Sequence, residues 1–317
     1  MNTLLDPSIL FFVFGLFAGL AKSNLEIPQP ISRFLSLYLL MALGLKGGFA
    51  LNKSGLTPEI ALSLGIAIAL AVVIPLAGYW LLRTRLDRLD AAAIAATYGS
   101  ISAVTFITAS QALEHAGIQF GGHMAAAMAL MESPAIIIAI ILANKARSPG
   151  TGRAASPGKV LHESFTDGGQ LLLLGALVIG LVTGDAGYKA MAPFSIDLFK
   201  GLLAFFLLDM GLMAARSLGQ IRGKPPAALA YALLAPPVHA AFALAICRLA
   251  GLPAGDTILL MVLAASASYI AVPAVLRQAL PEVNPALYMG MSLGVTFPLN
   301  ILVGIPVYTQ VALHFVR

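Results

Sequence analysis

Apolar runs and short polar stretches alternate along the whole chain. The apolar runs cover residues 8–21, 34–51, 60–82, 91–112, 123–143, 170–182, 196–214, 226–249, 257–279 and 286–313. A helix needs about 20 apolar residues to cross the roughly 30 Å hydrocarbon core of a bilayer. Two of the runs, 8–21 and 170–182, are shorter, and a run of that length can also lie re-entrant or in the interface. We count both as spanning, so the pattern predicts an all-α integral membrane protein with about ten transmembrane helices.

Composition agrees with this prediction and excludes several other classes. Hydrophobic residues make up 59% of the chain and charged residues 10%, against about 25% charged residues in soluble domains. The single cysteine, Cys247, excludes an intramolecular disulfide and a cysteine-rich metal site. The net charge of +5 does not indicate nucleic-acid binding, because the basic residues lie between the apolar runs. No basic segment precedes the first run, so we expect that run to belong to the mature protein.

The distribution of basic residues predicts the topology. Thirteen of the 19 Lys and Arg residues lie near or beyond the C-terminal ends of odd-numbered runs, and the other six lie on the opposite side of the predicted membrane. Because cytoplasmic loops are enriched in Lys and Arg, this bias places both termini outside. A polar stretch, residues 145–169, then forms a flexible cytoplasmic linker. It separates residues 1–144 from residues 170–317, with five predicted spans on each side.

The two halves repeat short motifs in the same order. The matched pairs, at offsets of 164 to 167 residues, are GLFAG from Gly15 with GLVTG from Gly180, MALGL from Met41 with LDMGL from Leu208, Ser100-Ile-Ser with Ser266-Ala-Ser, and Ser133-Pro with Phe297-Pro. Five spans is an odd number, so the second half must enter the membrane from the opposite side. This parity predicts two five-helix repeats of inverted topology. The two GxxxG motifs predict close helix packing.

Two Ser-x-Ser motifs lie at the centres of the fourth and ninth spans, Ser100-Ile101-Ser102 and Ser266-Ala267-Ser268. We expect both helices to break there and to cross at the midplane, as in transporters with discontinuous helices. The helix N-termini after the breaks present N–H groups and partial positive charge, which suit a small anion. The six motif residues are therefore the predicted anion site, with carbonyls before each break facing a cation such as Na⁺. The alternative is that the serines only pack or bond to the preceding turn.

Intramembrane polar residues extend the predicted site. Glu132, beside Pro134, is expected to be a cation ligand or a proton-linked gate, because buried charges in membranes are costly. The alternative is that Glu132 carries a protonated or hydrogen-bonded structural carboxyl group. For Asp209 two interpretations stay equally open: it belongs to an ion site, or it is a structural partner of another residue. Thr296 and Asn300 are candidate neutral cation ligands.

Three segments resemble the SbtA-type sodium-dependent bicarbonate transporters. They are Tyr98-Gly-Ser-Ile-Ser-Ala-Val-Thr-Phe106, Ala264-Ala-Ser-Ala-Ser-Tyr-Ile-Ala-Val-Pro273 and Met131-Glu-Ser-Pro134. The resemblance implies symport of Na⁺ and bicarbonate into a bacterial cell across its inner membrane, a homotrimer, and a PII-like regulator on the cytoplasmic side. It implies that Ser100, Ser102, Thr105, Ser266 and Ser268 line the bicarbonate and sodium sites.

The expected function is therefore sodium-coupled bicarbonate symport, and the alternative is symport of another small monovalent anion or carboxylate. The complete expected sodium set is Gly99, Thr105, Glu132, Ser266, Thr296 and Asn300. No other metal is expected. The chain has no H-E-x-x-H motif and no convincing carboxylate pair, so we do not expect an enzyme.

Overall fold

The computed structural model describes residues 5–55, 57–146, 168–221 and 223–316. These residues form helices and connecting turns, with no strands among them. Most of the predicted linker, residues 145–169, lies outside the described residues.

Twelve helices follow in chain order within the described ranges. They are α1 (Pro7–Leu20), α2 (Gln29–Ser54), α3 (Pro58–Leu82), α4 (Arg88–Gly99), α5 (Ala103–His115), α6 (Met124–Ala146), α7 (Gly168–Ala192), α8 (Phe199–Leu218), α9 (Pro226–Ala250), α10 (Ala254–Ala265), α11 (Ala271–Ala279) and α12 (Pro285–Phe315). The predicted apolar runs coincide with these helices. Six helical stretches in the described chain are long and apolar enough to cross a membrane. The protein is thus an all-helical, multi-pass membrane protein.

Helix α7 is interrupted near its C-terminal end. Gly184 has φ 52° and ψ −136°, outside the helical region, and glycine tolerates such a positive φ because it has no Cβ. The Asn52 side chain donates a hydrogen bond of 2.9 Å to the carbonyl oxygen of Leu181, just before this kink. The predicted run 170–182 ends beside the interruption, which explains why it is short.

Helices of the first half pack against helices of the second half. Helix α1 packs along α8, and α2 packs along α7. A Cβ on Gly15 would overlap the carbonyl oxygen of Leu208, and one on Gly180 would lie 2.6 Å from that of Leu45. Both GxxxG motifs therefore bring helix backbones into direct contact, which confirms the predicted close packing.

These two contacts match residue by residue. A Cβ on Gly211 would meet the Phe12 carbonyl oxygen and lie 2.7 Å from the Leu16 N. On the other side, a Cβ on Gly48 would meet the Leu177 carbonyl oxygen and lie 2.7 Å from the Leu181 N.

The matched contacts correct one motif alignment. They pair Gly48 with Gly211, whereas the sequence match aligned Gly44 with Gly211. That match is therefore one helical turn out of register. Gly44 also packs against α7, with the Leu177 N 3.1 Å from its Cβ position. Small residues spaced four apart give adjacent turns of α2 the same appearance in sequence.

The broken helices occupy the centre of the remaining bundle. Helices α3, α4 and α6 pack on one another, and so do α9, α10 and α12. In the most apolar window of the α4–α5 stretch, 94% of residues are buried, against 44% for α3 and 39% for α9. The Ser-x-Ser segments are therefore surrounded by protein, the setting in which non-helical backbone is tolerated at membrane depth.

Candidate functional site

Both broken helices end at the first serine of their Ser-x-Ser motif. Ser100 follows α4 with φ −94° and ψ 177°, and Ser266 follows α10 with φ −80° and ψ 167°. Both serines are thus extended, and both helices break at the motifs, where the sequence predicted the breaks. The second break is longer than expected, because α11 begins at Ala271 rather than near Ser268.

The second serine of each motif caps the helix that follows. Ser102 Oγ accepts hydrogen bonds from the Thr105 N–H at 3.2 Å and from the Thr105 hydroxyl at 2.9 Å. Ser268 Oγ accepts one bond, from the Val272 N–H at 3.2 Å. Such caps satisfy N–H groups that lack partners inside the helix. Thr105 therefore reaches the predicted site through Ser102.

The two breaks touch each other through hydrogen bonds. The Ser102 N–H donates to Ser266 Oγ at 3.0 Å, and the Ser268 N–H donates to the Thr97 carbonyl oxygen at 2.8 Å. Two of the N–H groups predicted to face an anion are therefore bonded within the protein. The N–H groups of Ile101 and Ala267 have no hydrogen-bond partner in the described part of the chain.

All four motif serines are buried. Ser100 and Ser266 are each 1% exposed, and Ser102 is 4% exposed. Ser268 is also buried, at 2%. Polar groups interact more strongly in such a low-dielectric interior than in water. An ion held between the breaks would be shielded from bulk solvent.

Asn300 lies beside the second break. Its Nδ2 donates to the Ala265 carbonyl oxygen, at the C-terminal end of α10, at 2.8 Å. Its Oδ1 accepts from the Tyr308 hydroxyl at 3.2 Å. Asn300 is therefore close to a carbonyl of the kind that binds a cation, but it presents an amide nitrogen to that carbonyl. Direct coordination of Na⁺ by its oxygen would need rotation of the amide.

Thr296 and Gly99 border the first break from two sides. The Tyr98 hydroxyl bonds to Thr296 Oγ1 at 2.6 Å, and Thr296 donates to the Ala232 carbonyl oxygen at 2.8 Å. A Cβ on Gly99 would lie 2.5 Å from the Pro75 ring. Glycine thus allows α3 to approach the end of α4, while Thr296 reaches the site through Tyr98.

The carboxyl group of Glu132 points to α7. It accepts a hydrogen bond from the Gln170 side chain, while the Glu132 carbonyl oxygen lies 3.5 Å from Ser100 Oγ. The backbone of Glu132, rather than its carboxylate, therefore borders the first break. Asp209 lies elsewhere and accepts a hydrogen bond from the Ser32 hydroxyl.

Sequence reasoning passed over two groups near this site. Tyr98 and Tyr269 flank the two Ser-x-Ser motifs, and their position in the motifs was the available signal. A buried contact between a histidine and an aspartate was also missed: His123 Nε2 lies 3.4 Å from Asp256 Oδ2, and Asp256 Oδ1 accepts from the Gly121 N–H at 2.6 Å. This pair ties the start of α10 to the segment before α6.

Two broken helices that meet through backbone and serine hydrogen bonds inside a multi-pass helical protein are typical of transporters. The comparison with protein families agrees with this class. The family model described as the Na⁺-dependent bicarbonate transporter superfamily matches residues 7–313. The chain therefore belongs to this superfamily, which confirms the resemblance seen in its motifs. A search of curated proteins finds no match.

Proposed function

We propose that the protein is a secondary active transporter that carries bicarbonate into the cell together with Na⁺. The observation that carries this proposal is the contact between the two breaks, in which the Ser102 N–H binds Ser266 Oγ. It brings one helix N-terminus and one helix C-terminus to the same buried place. Opposite ends of helix dipoles suit an anion and a cation side by side.

The anion site is built on the start of α5. The proposed donors are the N–H groups of Ile101 and Ala267 and the hydroxyls of Ser102 and Ser268. The Ser266 hydroxyl donates to the Leu263 carbonyl oxygen at 2.8 Å and the Ser100 hydroxyl to that of Glu132 at 3.5 Å, so these two would have to rotate to donate to the anion. A fork of two parallel bonds from Arg is the usual way to hold larger carboxylates, and the two Ser-x-Ser motifs contain no basic residue. A site made of hydroxyl and backbone donors therefore favours a small monovalent anion such as bicarbonate.

The sodium site is built on the carbonyl ends of α4 and α10. Free carbonyls at such ends coordinate Na⁺ in transporters with broken helices. The residues proposed to complete this site are Gly99, Thr105, Glu132, Ser266, Thr296 and Asn300. Neutralising the anion with Na⁺ reduces the cost of bringing either charge into the membrane.

We further infer two inverted repeats of five spans, residues 1–144 and 170–317, with both termini outside and the linker 145–169 in the cytoplasm. The matched packing of α1 on α8 and α2 on α7 supports this inference. A homotrimer, a PII-like cytoplasmic regulator and the bacterial inner membrane are proposed from the family resemblance.

The test is uptake of radiolabelled bicarbonate into proteoliposomes, with an inward Na⁺ gradient and with K⁺ in its place. We expect uptake only with Na⁺. Equal uptake with K⁺ would contradict sodium coupling. If folded protein takes up no bicarbonate, competition and uptake with formate, acetate and nitrate test the alternative, symport of another small monovalent anion.

A further inference from the structure

A buried tyrosine at the second break has a hydroxyl group without a partner. Six side chains of the described residues bury a polar atom that makes no hydrogen bond: Ser8, Ser63, His123, Tyr231, His239 and Tyr269. Of these six, Tyr269 is the one that belongs to a break. Leaving such a group unsatisfied destabilises the folded protein, so its retention calls for an explanation.

The ring of Tyr269 is held in place by aromatic neighbours. It packs against the edge of Phe297, with ring centroids 5.2 Å apart, and Phe297 packs in turn against Phe12 at 5.4 Å. Tyr269 is 5% exposed. The hydroxyl group therefore cannot reach bulk water without repacking of this aromatic row.

The hydroxyl group of Tyr269 lies beside the side chain of Ser102, without a hydrogen bond of normal geometry between them. Ser102 Oγ already accepts two bonds from Thr105. Neither hydroxyl donates a hydrogen bond of normal geometry in the described part of the chain. Two O–H donors thus lie together at the N-terminus of α5, where the helix dipole also favours negative charge.

We propose that the Tyr269 hydroxyl donates a hydrogen bond to an oxygen of the carried anion, beside the Ser102 hydroxyl. A phenol is protonated at neutral pH, so it is a donor to an anion under working conditions. Two neighbouring O–H donors match an anion with two oxygens on one carbon or nitrogen, and they match a spherical halide less well. Tyr269 is therefore a specificity-determining residue for small oxyanions over chloride. This inference rests on the proposed function.

The test compares two matched variants, Tyr269→Phe and Tyr231→Phe. Each removes one buried, unpartnered phenol oxygen, but Tyr231 lies on α9 and packs against Tyr98 and His239. Sodium-driven uptake in proteoliposomes gives KM and the maximal rate for bicarbonate, and competition by chloride gives selectivity. We expect Tyr269→Phe to raise KM about 10- to 100-fold, because a hydrogen bond to a charged group is worth about 1.5–3 kcal/mol. Chloride should compete better in Tyr269→Phe, and Tyr231→Phe should keep the wild-type KM and selectivity.

A thermal-unfolding assay in detergent separates this inference from the transport proposal. Na⁺ is held constant, and bicarbonate, formate, nitrate or chloride is added to the full-length protein. Stabilisation of the wild type by an oxyanion, lost in Tyr269→Phe and kept in Tyr231→Phe, supports the role of Tyr269 even if bicarbonate is not transported. The proposal is overturned if both variants respond alike, if Tyr269→Phe lowers only the maximal rate, or if no oxyanion stabilises the wild type.

Discussion

The two breaks differ although their motifs look alike. The first is short, since α5 begins at Ala103, directly after Ser102. The second extends through Ile270, and α11 begins at Ala271. Pro273 lies in the first turn of α11, the part of a helix that tolerates proline best because an N–H is not needed there. The first break therefore presents a capped helix N-terminus, while the second presents extended backbone and the Tyr269 hydroxyl.

The two breaks also differ in how firmly their second serine is bonded to the helix that follows. Both Ser102 and Ser268 donate their N–H to the opposite break, but Ser102 Oγ also accepts two bonds from Thr105. Ser268 accepts a single bond from Val272. The comparison predicts that the site residues at the start of α5 are held more rigidly than those before α11.

The largest effect on uptake is expected from two variants, Ser102→Ala and Ser268→Ala. Both should abolish uptake, because each removes a hydroxyl at the anion site, while the protein still inserts and folds. Removing a capping oxygen costs about 1 kcal/mol, so both proteins should survive purification. Uptake, normalised to folded protein by size-exclusion chromatography, is the measurement. Normal uptake in both variants would contradict the site.

Thermal unfolding of the same pair sharpens the comparison. Ser102→Ala should lose more stability than Ser268→Ala, since Ser102 Oγ accepts two bonds and Ser268 Oγ one. An equal loss would mean that the two caps are equivalent.

The next effect concerns the sodium side of the first break. Glu132→Gln keeps the size of the side chain and removes its charge. If the carboxylate contributes to Na⁺ binding, the Na⁺ concentration for half-maximal uptake should rise about tenfold, which corresponds to about 1.4 kcal/mol. Uptake at saturating Na⁺ should change less. Gln170→Ala serves as the control, because it removes the partner of Glu132 and leaves the charge. An unchanged Na⁺ dependence in Glu132→Gln would assign Glu132 a structural role.

A third pair of variants asks whether the asymmetry is confined to the breaks. Gly15→Ala and Gly180→Ala place a methyl group against backbone at matched positions of the two halves. Overpacking of this kind costs about 1–3 kcal/mol, and we expect similar losses of thermal stability. Gly175→Ala on α7 is the control, since its Cβ position has open space. Very different losses for Gly15 and Gly180 would argue against the repeat.

The smallest expected effect comes from Pro273→Ala. Without proline, α11 can begin nearer Ser268, so the second break should come to resemble the first. Hydrogen exchange of the peptide that contains Tyr269 and Val272 should slow, because a helix that begins near Ser268 gives the Val272 N–H the Ser268 carbonyl oxygen as a partner in place of its single side-chain bond. Exchange of the peptide around Ser102 provides the internal reference. Unchanged exchange near Tyr269 would show that tertiary contacts, not Pro273, set the length of the second break.

The sequence by itself determined the helices and the positions at which they break. Apolar runs of about 20 residues predict membrane helices, and glycine with clustered hydroxyl groups interrupts them, because these are local effects of burial and backbone bonding. Pro273 is the local sequence feature that favours a helix start just before it. The GxxxG motifs likewise predicted close helix packing, but they did not indicate which helices pack together.

Only the tertiary structure decided how distant groups meet. The register that pairs Gly48 with Gly211, the direction of the Asn300 amide, the contact of Glu132 with Gln170, and the unpartnered Tyr269 hydroxyl all depend on contacts between different helices. Adjacent turns of a helix look the same in sequence when small residues recur every four positions. Packing against the neighbouring helix selects one turn, and with it the side chains that face the site.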